Sequence, residues 1–203
     1  MAQTNQTVYL LSNDRESEIL QKLELIGRVC YKSEHKITEN SAIPFVKKLI
    51  QNEHLSVLEH VNLSVVIKTN RAIANELVRH RHCAFTQEST RFVKYDDIDI
   101  INSKLPPEWD GYFDAANDNY ANYYKHLVTW GVKPELAREY LPLGLATTLY
   151  MTTNLRGWRH IIKLRQKPMN HPLMRQLMHD ILQMFTAKYE NIFGDIVDEY
   201  GNK

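Results

Sequence analysis

No stretch of this sequence approaches the roughly 20 consecutive apolar residues that a membrane-crossing helix requires. Cysteine is almost absent. Cys30 and Cys83 lie far apart and form no CxxC pair, which excludes a disulfide scaffold and a zinc ribbon. Glycine and proline are sparse, at 7 each in 203 residues, so collagen-like and low-complexity chains are excluded. No GxGxxG run occurs, so no Rossmann-type grip on a dinucleotide is expected. Net charge is missing too: 25 basic against 24 acidic side chains leave +1 at pH 7. A nucleic acid or a membrane surface finds no global attraction there. The opening Met-Ala-Gln-Thr-Asn-Gln-Thr lacks a basic start and a following apolar run. With reduced thiols, that predicts a soluble cytoplasmic protein. What is present is ordinary globular usage, 43% hydrophobic and 24% charged. The expectation is a single domain over 1–203, able to bury roughly 70% of its unfolded surface.

The balanced charge is not evenly spread. Between Leu141 and His179 there is no acid, yet Arg156, Arg159, Lys163, Arg165, Lys167 and Arg175 are basic. From Asp96 to Asp118 the sign inverts, with seven acids against Lys104 alone. Four arginines fall between Arg71 and Arg91. Segregated arginine among apolar residues predicts an anionic ligand or an interface with the acidic stretch.

The pattern predicts an α+β fold, a mixed sheet packed with helices. Val8–Leu11 reads as a strand. A helix follows, with Asn13 and Glu16 as a capping box and Ile19, Leu20, Leu23, Ile26 and Cys30 at helical spacing. Ser41 opens a short helix through Ile50, with Pro44 in its first turn. Val61, Leu63, Val65 and Ile67 alternate with polar residues as a half-buried strand. Asn70 caps a helix with Ile73, Leu77 and His80 along one side. Phe85–Val93 reads as extended, which puts Gln87, Ser89 and Arg91 on one face. A loop over Asp96–Pro107 leads to a tyrosine-rich helix, Glu108–Trp130, stopped by Gly131. Pro134 starts a short helix, Ala146–Thr153 is a strand, and Asn154 caps a helix to about Leu164. A last helix after Pro172 buries Leu173, Leu177, Ile181 and Met184.

The densest chemistry is Glu76-Leu-Val-Arg79-His80-Arg81 followed by Gln87-Glu88-Ser89-Thr-Arg91. Three arginines with Ser89 suit a phosphate through forked, charge-assisted hydrogen bonds. Glu76, Gln87 and Glu88 add acceptors and an amide, suited to reading ring edges. A surface cluster of arginines paired with Glu76 and Glu88 is the plainer alternative. A second set, Arg156, Arg159, His160 and Lys163, lies within about a third of a helix circumference, with Arg165 off that face. A purely cationic stripe repels itself, so an anion or acidic partner is expected beside it. A third set is His54, Ser56, Glu59 and His60, just ahead of a strand.

These residues resemble the flavin-dependent thymidylate synthase family. Arg79-His80-Arg81, seven residues and Ser89 are similar to its RHR-x7-S signature, which chance would supply in such a chain on the order of once in a thousand. His54-x-Ser56-x-x-Glu59-His60 resembles the family's H-x-[ST]-x-x-E-H, and Glu135-Leu-Ala-Arg138 its E-x-x-R. Asn154-x-Arg156, His160 and Leu164-Arg165 resemble its ligand-binding helix. The resemblance implies an enzyme, a methyltransferase making dTMP from dUMP. The carbon comes from 5,10-methylenetetrahydrofolate, FAD is the cofactor and NADPH reduces it. It implies a homotetramer with ligand sites between subunits. His54, Ser56, Arg79, His80, Arg81, Asn154, Arg156 and His160 are the implied FAD contacts, with Gln87 reaching both ligands. Glu76, Arg79, Gln87, Glu88, Ser89, Arg91, Arg138 and Arg165 are the implied dUMP pocket, and Arg165 the catalytic residue that activates the uracil ring. No metal is implied. Ser89 has no histidine–acid relay in the sequence and reads as a ligand contact, not a nucleophile. Glu76 stands where many members carry Gln, Gln87 where many carry Glu, and Phe92 where Tyr is common.

Two other classes compete with this reading. One is a nucleic-acid-binding module using the Arg156–Arg175 segment and the 11 tyrosines; a steep salt dependence of DNA binding is its signature. The other is a metal-dependent hydrolase built on His54, His60, His80 and His82, which lacks HExxH spacing.

Overall fold

The computed structural model describes residues 2–102 and 106–200. In chain order its elements are β1 (Ala2–Gln3), β2 (Thr7–Leu10), α1 (Glu16–Val29), α2 (Ala42–Gln51), β3 (Asn62–Asn70), α3 (Arg71–Leu77), β4 (Ala84–Gln87) and β5 (Asp99–Ile100). There follow α4 (Asp110–Thr129), α5 (Pro134–Ala137), β6 (Ala146–Asn154), α6 (Leu155–Arg165), α7 (Pro172–Lys188) and α8 (Glu190–Tyr200). Short 3-10 turns at Glu34–Lys36, Leu55–His60, Pro107–Trp109 and Arg138–Tyr140 join them. The class is α+β, as the sequence predicts. Strand directions divide between two sheets. One has the order β2-β3-β6-β4; the other is the parallel pair β1-β5. The β3–β6 register runs antiparallel: the Arg71 amide donates to the Leu145 carbonyl and the Leu155 amide to that of Val61. Among the described residues no helix is long and apolar enough to cross a membrane.

The chain forms two compact units. The first comprises the N-terminal residues to Thr7, Ile67–His80 and Phe85–Tyr150. Its core gathers Ile98, Ile100, Ala121, Tyr124, Ala137 and Leu145. The loop expected over Asp96–Pro107 is thus partly structural: β5 lies in it and pairs with β1, burying Ile98 and Ile100. Its positions 103–105 lie outside the described residues. Helix α4 ends at Gly131, whose φ of +86° is the left-handed stop glycine adopts without strain.

The second unit comprises Val8–Val66, Arg81–Ala84 and the chain from Met151 onward. In it α1 packs on α2, α6 on α7 and α7 on α8. Three expectations change here. The capping box on α1 sits two residues later than predicted: the Arg15 amide donates to Glu18 at 3.1 Å. Glu16 instead accepts from the backbone and side-chain nitrogens of Asn191 at 2.7 and 2.9 Å, which caps the start of α8. The single last helix is two helices, broken at Tyr189, and α7 buries Met174, Leu177, Met178, Ile181, Leu182 and Phe185. A period read along one helix cannot reveal that break, because Tyr189 turns to donate its hydroxyl to the Asp14 carbonyl 175 residues away.

Candidate active site

The first unit carries Glu76, Arg79, His80, Gln87, Glu88, Ser89, Arg91 and Arg138. Asn70 caps α3 as predicted, its Oδ1 accepting from the Ile73 amide at 2.9 Å. The helix ends at Leu77, so Arg79 and His80 stand in the turn beyond it, and His80 does not continue the Ile73–Leu77 face. Strand β4 likewise stops at Gln87, and the chain then turns: the Phe92 and Val93 amides both donate to the Ser89 carbonyl. The two-residue period therefore does not carry Ser89 and Arg91 onto the face of Gln87. The Ser89 hydroxyl accepts from the Arg91 amide at 3.3 Å, a local side-chain-to-backbone bond that favours a turn.

Glu88 is held from two sides. Its Oε1 accepts from the Tyr95 hydroxyl at 2.6 Å and its Oε2 from the Thr148 amide at 3.4 Å. Burial, then the hydrogen bond to Glu88, pushes the Tyr95 phenol well above the ordinary tyrosine range, so Tyr95 is a donor at neutral pH. Gln87 Nε2 donates to the Thr147 hydroxyl at 3.3 Å. Glu135 joins two of the predicted arginines. Its carboxylate takes Arg91 Nε at 3.1 Å and its backbone carbonyl takes Arg138 Nε at 3.1 Å. Arg91 and Glu135 are 58% and 37% exposed, so their pair is worth under about 1 kcal/mol and mainly orients the guanidinium. Tyr95 and Thr147 were not singled out by sequence, because a lone tyrosine and a strand threonine carry no spacing signal.

The second unit carries His54, Ser56, Arg81, Asn154, Arg156, His160 and Arg165. The turn Leu55–His60 buries Val57 and Leu58 and leaves His54, Ser56, Glu59 and His60 exposed. Glu59 and Arg156 pair at 2.5 Å, which ties this turn to the first turn of α6. Asn154 caps α6, its Oδ1 accepting from the Gly157 amide at 2.8 Å. Arg165 ends the helix, its Nη1 donating to Asn170 Oδ1 at 3.3 Å.

The cationic stripe is one residue poorer than predicted. At about 100° per residue, Arg159 lies midway between Arg156 and the buried Ile162. The structure turns it inward, 5% exposed, where both oxygens of Asp195 accept from it at 2.7 and 2.6 Å and the Ile192 carbonyl also accepts. Arg159 is thus a structural clamp between α6 and α8. Asp195→Ala should destabilise the chain by about 2 kcal/mol, below the full cost of breaking a buried pair because Asp195 is half exposed. An unchanged urea midpoint would show that the pair contributes nothing net. Among the described residues no group of three His, Cys, Asp or Glu comes together in a way that could hold a metal ion.

Exposed arginines, histidines and serines at helix starts and strand ends define an α+β protein that presents fixed cationic and hydrogen-bonding groups to anionic ligands. The family described as thymidylate synthase complementing protein matches residues 11–189. A flavin-dependent thymidylate synthase of Mycobacterium sp. (strain JLS) is 30% identical over 85% of this chain and 78% of its own length. One from Corynebacterium diphtheriae is 28% identical over 89% and 79%. The crystal structure of a UMP/dUMP methylase, PolB from Streptomyces cacaoi bound with 5-Br dUMP, matches the fold with a TM-score of 0.79. It covers 99% of this chain and 98% of its own at 19% identity. This chain belongs to the flavin-dependent thymidylate synthase family.

Proposed function

We propose that this chain makes dTMP from dUMP, with 5,10-methylenetetrahydrofolate as carbon donor, FAD as cofactor and NADPH as reductant. What supports the reading most is that Arg79-His80-Arg81 and Ser89 stand, within the matched region, in the turns beyond α3 and β4, with Glu135 gathering Arg91 and Arg138. In the proposed dUMP site, Arg79, Ser89, Arg91 and Arg138 hold the phosphate and sugar end. Glu76, Gln87 and Glu88 present a carboxylate, an amide and a carboxylate to the rest. Glu88 comes pre-oriented by Tyr95 and Thr148, so little ordering is left to do when a ligand arrives.

The donor set of the second unit fits a flavin dinucleotide. Arg81 and Arg156 offer guanidinium charge for a pyrophosphate, Arg156 from the first turn of α6. Ser56, His54, His160 and the Asn154 amide offer hydrogen bonds to hydroxyls. Bound flavin supplies the hydride chemistry. Arg165 stabilises negative charge on the uracil ring as its C5 takes the new carbon, since a guanidinium is effectively never deprotonated. The enzyme works as a cytoplasmic homotetramer in which more than one subunit contributes to each ligand site.

A visible absorption spectrum tests this directly. Protein mixed with FAD and desalted should keep the oxidised-flavin bands, and NADPH with dUMP should bleach them. A colourless protein that retains no FAD would end the proposal, and the exposed arginines would need another anion.

A further inference from the structure

His82, the residue after Arg81, has a φ of +64°. This left-handed conformation is uncommon for a residue with a Cβ, though histidine tolerates it better than most. Two hydrogen bonds surround the bend. The Thr153 hydroxyl donates to the His82 carbonyl at 3.2 Å, and the Cys83 thiol makes a weaker contact with the Arg81 carbonyl at 3.7 Å. Thr153 is 4% exposed and immediately precedes Asn154, the cap of α6. Its hydroxyl needs room above the helix, and Gly157 provides it. A Cβ at Gly157 would lie 2.5 Å from Thr153 Oγ1 and 3.3 Å from Asn154 Oδ1. Glycine is otherwise a poor choice inside a helix, so its presence here is explained by the two oxygens stacked over it.

We infer that Thr153 is a positioning residue for Arg81: through the His82 carbonyl it fixes the last arginine of the Arg79-His80-Arg81 segment against the α6 start that carries Arg156. All the residues of this tether belong to the second unit. The inference rests on the reading that Arg81 and Arg156 hold the flavin. A guanidinium whose backbone is fixed loses less freedom when it meets an anion, so the tether acts on affinity as well as on local order.

Thr153→Val keeps the shape and removes the donor. It should raise the FAD dissociation constant about 5- to 10-fold, the equivalent of one hydrogen bond, and speed amide exchange at residues 82–84. Thr153→Ser keeps the donor and should restore both quantities to wild-type values. As a second variant, Gly157→Ala favours the helix by propensity but pushes on the hydroxyl, and should weaken FAD binding in the same direction. T153V binding FAD within twofold of wild type overturns the role of Thr153 and leaves the flavin reading standing, as does a T153S as weak as T153V. Wild-type protein that retains no FAD overturns the flavin reading, and the inference with it.

Discussion

Arg165→Ala is expected to lower kcat for dTMP formation by about 10²- to 10³-fold, the usual effect of deleting a preorganised electrostatic partner of the transition state. FAD retention should stay close to wild type, because the flavin contacts are assigned to other residues. The local structure suits Arg165 to the role proposed for it. It is partly buried at the end of α6, and Asn170 holds it while donating its own Nδ2 to the carbonyls of Leu164 and Lys167. The side chain is thus anchored to a turn that is itself pinned, which reduces its reorganisation during the reaction. Arg165→Lys keeps a charge but loses the planar fork, and should recover only part of the rate. Wild-type turnover in R165A would remove Arg165 from the mechanism.

Trp158→Ala should cost about 3–5 kcal/mol of stability, the range for truncating a fully buried aromatic. Trp158 has no exposed surface and packs edge-on against Phe185, with ring centroids 5.3 Å apart. Its Nε1 also donates to the Leu63 carbonyl at 2.9 Å. One side chain therefore joins β3, α6 and α7. Removing it opens a cavity and leaves a buried carbonyl without its donor. Trp158→Phe separates the two contributions, since it keeps most of the apolar volume and should lose only about 1–3 kcal/mol. Urea unfolding curves of the two variants check the prediction. Equal losses would mean that the hydrogen bond, and not the packing, holds α6 in place.

Features written in a few adjacent residues were legible in the sequence. Asn70 and Asn154 were readable as caps because the donor each satisfies lies three residues away. The strands at Asn62–Asn70 and Ala146–Asn154, and the stop at Gly131, were legible for the same local reason. The candidate site was legible as a set of residue types and spacings, which is how Arg79, Ser89, Glu135 and Arg138 stood out. Part of what failed depended on distant partners, and part on local turn chemistry. Arg159 reads as part of an exposed stripe until Asp195, 36 residues later, draws it inward. Glu16 reads as a cap for its own helix, yet it serves Asn191. Ser89 and Arg91 left the face of Gln87 because the Ser89 hydroxyl and carbonyl favour a turn over continued pairing. The sequence offers Gln87 as a ligand group and Glu88 as a ligand group or an arginine partner, while Tyr95, Thr148 and Thr147 occupy part of their bonding capacity.

The bonds between residues 12–16 and 188–191 bear on the order in which the molecule can be made. Lys188 donates to the Ser12 carbonyl, Tyr189 to that of Asp14, and Glu16 receives Asn191. Burial, with Asp14 and Glu16 nearby, raises the Tyr189 phenol to about 12, so this closure stays protonated and intact at physiological pH. While the ribosome is still adding the final segment, α2 lacks the α8 that packs on it. The whole of the first unit, by contrast, is already synthesised by Tyr150. At elongation rates of about 5–20 residues per second, α2 waits on the order of ten seconds or more with apolar surface uncovered. The second unit is therefore the later one to be completed, and its high sequence separation slows its closure.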